Sequence, residues 1–192
     1  MQTLLVCGSA PCVHDDLSAA LLLRPLATVM LVNGASTLVE NADHVLSGHT
    51  EKAELFAAQR RKVFPNVKPW RLHATIKEAH RHEAKTVFPS VTDWWDKSYC
   101  TGATSIAKGA VIGLRALGFD EVVLCGAPMD GSGYAKGEAA VGHDCHRVGD
   151  PLVQTRRVIE GYRIKYKKFA EQYRDRVFSM SGFTMACSGA PR

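Results

Sequence analysis

The segment from Gly102 to Tyr134 constrains the fold more than any other part of this sequence. It reads as a polar, glycine-bearing loop, a helix, a tight turn, a strand and a second glycine-rich loop. Ile106, Ala110, Val111, Leu114 and Leu117 recur at helical spacing, and Gly118 supplies the stop. Val122, Val123, Leu124 and Cys125 then form a short, continuous apolar run. A strand apolar on both faces belongs inside a parallel sheet covered by helices. In such sheets ligands bind at the carboxyl ends of the strands, so both flanking loops are candidate ligand contacts. An ordinary α/β unit whose glycines only make turns explains the same pattern.

The rest of the chain repeats the theme. Residues 3–7 and 28–32 read as strands, residues 44–46 as a short third strand, and 67–72 as a fourth. Helices are expected over 17–23 and over 51–62, the second capped by Thr50. A long helix after Asp150 and a last strand over 177–180 close the pattern, with a tail from Ser181. Residues 75–99 have no clean period and read as an irregular insertion or lid. Strand after strand ends in glycine beside a small polar residue: Gly8-Ser9, Asn33-Gly34, Gly48-His49, Gly126 to Asp130, Ser181-Gly182. Right-handed crossovers bring these loops to one rim. The expectation is one three-layer, Rossmann-like α/β domain over residues 1–192, with a mainly parallel sheet and a nucleotide-binding crevice.

Composition agrees with that class. The chain has 192 residues, 46% hydrophobic and 22% charged, enough for one well-buried domain. No apolar run approaches the ~20 residues that span a bilayer. The first residues read as a strand rather than a secretory signal. The six cysteines form no CxxC pair, which points to a reducing, cytoplasmic compartment rather than a disulfide framework. The net charge of +5 is concentrated in residues 60–85 and in the last long helix. Such an excess suits a phosphate-bearing ligand or an anionic polymer, and a solvated helix face explains it equally well.

Several motifs together resemble a superfamily of Rossmann-like transferases. It includes the bacterial lipooligosaccharide sialyltransferases, the motility-accessory-factor flagellin glycosyltransferases, the archaeal 6-hydroxymethylpterin diphosphokinases and small phage-encoded members. The residues carrying the resemblance are Gly8-Ser9-Ala10-Pro11-Cys12, Asn33 at a strand end, Ala116 to Gly126, and the His-rich run from His143 to Pro151. Two departures stand out. Cys12 replaces a serine hydroxyl, and Asp130 is displaced from the acidic position after Gly126.

The resemblance implies that Gly8, Ser9, Ala10, Pro11, Asn33, Gly34, Thr104, Ser105 and Gly126 hold a nucleotide-activated donor such as a CMP-sugar. It implies that His146 or His143 takes a proton from the acceptor hydroxyl of a small molecule or glycan. Histidine suits this role because its reference pKa is ~6.5. Tyr134 or Tyr99 would steady the departing phosphate. Capping alone accounts for Thr104 and Ser105, although both roles can coexist. Trp94-Trp95 can stack a sugar or base, or anchor a lid or a homo-oligomer interface.

The function expected is a nucleotide-dependent transferase, most like a sialyltransferase-type glycosyltransferase. One alternative is a diphosphokinase using ATP and Mg²⁺, with Asp130 as a metal ligand. Another is a non-catalytic, phage-derived module binding nucleotide or nucleic acid. Nucleic-acid binding is disfavoured because no aromatics interleave on the basic helix face.

Overall fold

The computed structural model describes residues 1–97, 104–130 and 151–192, with the backbone alone for 151–158 and Glu78. The described residues form an α/β fold around a seven-stranded sheet in the order β5-β4-β3-β2-β1-β6-β7. The strands are β1 (Thr3–Cys7), β2 (Thr28–Val32), β3 (His44–Ser47), β4 (Arg71–Ile76), β5 (Asp93–Asp96), β6 (Glu121–Cys125) and β7 (Val177–Ser179). Every pairing is parallel. β1 and β6 are buried along their whole length, which explains their unbroken apolar runs.

Helices cover both faces. On one, α1 (Val13–Leu23), α2 (Ala53–Val63) and α3 (Arg81–Val87) meet Leu5, Leu31, Val45, Leu72 and Val123. On the other, α4 (Ser105–Arg115) and α5 (Pro151–Gln172) meet Leu4, Val6, Met30, Leu124 and Val177. A short α6 (Gly182–Ser188) follows β7, where a tail was expected. On α5, Tyr166, Phe169 and Ala170 are buried while Lys165, Lys167 and Lys168 are exposed. No described helix is long and apolar enough to cross a membrane.

Some boundaries differ from expectation for identifiable reasons. α1 begins at Val13, four residues early, with Asp15 and Asp16 in the first turn where carboxylates favour the helix dipole. β4 runs over 71–76 rather than 67–72, since Pro69 has no N–H for the ladder. Residues 75–97 are more regular than their composition suggested: α3 and β5 add one further crossover and an edge strand. α3 escapes notice because only Ala84 is buried on it. Trp94 packs into the core while its neighbour Trp95 faces the α4 side.

One buried cation shapes the rim. Arg60 of α2 is 0% exposed, and its guanidinium donates to the carbonyls of Ser36, Val39 and Glu40. Phe64 and Trp70 lie over it at 5.5 and 5.6 Å. The arginine thereby holds the 3-10 turn Asn33–Thr37 and its continuation, which would otherwise leave carbonyls unsatisfied. Arg60→Met should lower folding stability by about 3 kcal/mol or more, read from urea unfolding, because removing the donors strands buried acceptors.

Candidate functional site

The sheet order reverses between β1 and β6, and there the carboxyl-end loops separate to opposite sides. That crevice is the usual ligand position in open α/β sheets. Here the two loops are laced together. Gly8 N–H donates to Cys125 O at 2.8 Å, and Ala10 N–H donates to Gly126 O at 3.1 Å. Gly126 N–H donates to Asp16 Oδ2 at 2.8 Å, and Ser181 Oγ donates to the same oxygen at 2.6 Å. The Cys12 thiol also approaches Asp16 Oδ2, at 3.5 Å, and burial raises its pKa.

Gly8 and Gly126 are therefore required by the meeting of two backbones. A Cβ on Gly8 would stand 2.5 Å from Gly126 O, and Gly126 has φ +60. Three N–H groups expected to face phosphate are thus engaged inside the protein. Ser9 and Ala10 are buried, and Pro11 has no N–H to offer.

Other expected residues converge elsewhere on the rim. Asn33 ends β2 with φ +52, a left-handed conformation that asparagine tolerates. Its Oδ1 accepts the N–H of Gly48, which follows β3, at 2.8 Å. A Cβ on Gly48 would collide with Ser105 Oγ, and Asn33 Oδ1 lies 3.4 Å from that same point. Gly48 thus makes room for the first turn of α4 between the ends of β2 and β3. Thr104 is the N-cap of α4, its hydroxyl accepting Ala107 N–H at 3.2 Å. One turn on, Lys108 Nζ reaches Gly48 O at 3.4 Å. Gly34 is buried within the turn that Arg60 holds.

Asp130 is exposed beyond β6, next to Met129 with φ +51. Among the described residues no group of three or more His, Cys, Asp or Glu is arranged to hold a metal ion. His143, His146, Tyr134 and Tyr99 lie outside the described residues. Cys7, Cys12, Cys125 and Cys187 are free thiols. The expected cap Thr50 instead donates its hydroxyl to Thr75 O, and α2 starts at Ala53. Of the basic residues around His80, Lys77, His80, His82 and Lys85 are exposed, while Arg81 reaches back to Trp94 O at 3.4 Å.

A polar cluster on β3, β4 and β5 was not anticipated. Trp95 Nε1–H donates to His73 Nδ1 at 3.1 Å, which places the proton of neutral His73 on Nε2. That nitrogen then donates to His44 Nδ1 at 2.9 Å. Arg71 and Thr92 hold the Asp93 carboxylate beside them. The signal was present in β4, whose residues alternate Leu72 and Ala74 toward one core with His73 and Thr75 toward the other face.

Burial pushes the His73 pKa down to about 4 and outweighs the Asp93 carboxylate 3.8 Å away; His44 is lowered for the same reason. Above pH ~6.5 histidine is neutral in both folded and unfolded chains, so no proton is exchanged. As pH falls toward 4, the unfolded chain binds a proton that the folded one refuses, and stability drops. Urea unfolding at pH 7 and pH 5 should differ by about 2 kcal/mol through His73 alone. His73→Gln should flatten that difference.

No family model matches this chain, and neither a curated protein nor a solved structure aligns with it.

Proposed function

We propose that the chain binds a nucleotide at its carboxyl rim and acts as a nucleotide-dependent transferase of the sialyltransferase-like glycosyltransferase type. The observation that carries the reading is the meeting of Asn33, Gly48 and Ser105, where two strand ends and a helix N-terminus converge. A parallel sheet offers few places where side-chain amide, hydroxyl and helix dipole face one point, and such a place suits an anionic ligand. In this reading an acceptor oxygen attacks the sugar's anomeric carbon, the bond from that carbon to the donor phosphate breaks, and His146 or His143 takes the acceptor proton. The nucleotide phosphate leaves with the bonding electrons.

A thermal-shift screen of CMP, UDP, ATP with Mg²⁺ and single-stranded DNA tests the binding step. A nucleotide at 100 times its Kd should stabilise the fold by about 2.7 kcal/mol, and DNA should not. Asn33→Gly keeps the left-handed backbone accessible while deleting the amide, so it should remain folded and lose most of the shift. Absence of any nucleotide response in the wild-type chain would overturn the reading.

A further inference from the structure

The site just described has a polar floor that the fold itself does not use. Ser47 stands in register with Ala74, so Gly48 stands beside Thr75, and Thr75 in turn is in register with Trp95. Laterally paired residues of a parallel sheet point to one face. The missing side chain of Gly48 points at Ser105 of α4, so the Thr75 side chain points to the same space. Thr75 is 0% exposed, yet its Oγ1 has no hydrogen-bond partner among the described residues. A buried hydroxyl left in that condition costs stability, and a valine of the same shape would not pay it.

Ser105 at the start of α4 stands over Gly48, the neighbour of Thr75, and Lys108 follows one turn later with Nζ 3.4 Å from Gly48 O. Asn33, 7% exposed, completes the wall, its Oδ1 spent on Gly48 N–H. The groups that face the space thus combine a hydroxyl donor, a helix N-terminus, an ammonium and an amide, all of which favour negative charge. At the β1–β6 crevice, by contrast, Gly8, Ala10 and Gly126 N–H are already bonded within the protein.

We propose that the ligand's phosphate group is held at the end of β3, by Thr75, Ser105, Lys108 and Asn33, two strands away from the glycine loop of β1. This inference rests on the nucleotide-binding reading and locates the phosphate within it. Lys108 supplies the countercharge, and Thr75 supplies a donor that stays idle until the phosphate arrives.

The test pairs each 5′-nucleotide with its nucleoside (CMP with cytidine, UDP with uridine, ATP with adenosine) and adds sodium phosphate alone. Calorimetric titration is run on wild type, Lys108→Gln and Thr75→Val, with melting curves for each. The wild type should bind a nucleotide at least about tenfold more tightly than its nucleoside, the scale of a hydrogen bond to a charged group. Lys108→Gln and Thr75→Val should erase most of that ratio while leaving nucleoside affinity in place. Thr75→Val should melt at the wild-type temperature or higher.

If a nucleotide binds the wild type and both variants equally well, the phosphate sits elsewhere; the subsite is overturned and the nucleotide reading survives. If Thr75→Val melts lower and loses nucleotide and nucleoside alike, Thr75 is structural and the subsite is again overturned. If no nucleotide binds but phosphate alone stabilises the wild type and not Lys108→Gln, the subsite stands and the nucleotide reading falls. If no probe binds the wild-type chain, both fall.

Discussion

One carboxylate holds the centre of this molecule. Asp16 Oδ2 accepts from Gly126 N–H after β6 and from Ser181 after β7, while its own helix follows β1. The loops after β6 and β7 are thereby tied at 2.6–2.8 Å to a single oxygen on the helix that follows β1, on a side chain that is 8% exposed. The loops can come this close only because Gly8 and Gly126 present no side chains to each other. This joint spans β1, β6 and β7 and leaves the ends of β2, β3 and β4 outside it.

That division gives the two halves of the sheet different characters. Around β1 and β6 the rim is an internal joint, its polar groups facing each other. Around β2, β3 and β4 a buried hydroxyl, Thr75 Oγ1, has no hydrogen-bond partner among the described residues. Asn33, Ser105 and Thr75 gather there, and the His44–His73–Trp95 chain runs across β3, β4 and β5. Parallel sheets are expected to collect ligands at a switch point. Here the N–H groups of Gly8, Ala10 and Gly126 at that point are bonded within the fold itself.

Much of the architecture was legible from the sequence, and the reason is burial. β1 and β2 were read at their observed residues, and β3 and β6 to within one, because strands covered on both faces are short apolar runs. α4 was legible from its spacing and from Gly118. β5 was not, since Asp93-Trp94-Trp95-Asp96 carries charge at both ends of an edge strand, as edges often do. Among rim residues, Asn33 and Ser105 could be singled out as strand-end and helix-start positions. That they meet over Gly48 depends on β2 lying beside β3 and on α4 returning across the sheet, and no local pattern encodes either. The histidine pair was missed for the same reason: His44 and His73 are 29 residues apart and become neighbours only through strand pairing.

The grip of Arg60 on the carbonyls of Ser36, Val39 and Glu40 has a kinetic consequence. The turn carrying Asn33 is tied to α2 by bonds that no ligand has to form. Most loops that receive ligands lose conformational entropy on binding, and part of the contact energy is spent on ordering them. Here that ordering is completed during folding, by a guanidinium that also lies over the rings of Phe64 and Trp70. A molecule arriving at this end of β2 meets a surface already in its final shape. Its association rate at this loop is then set by diffusion and orientation, and differences in affinity among related ligands are expressed in how slowly they leave.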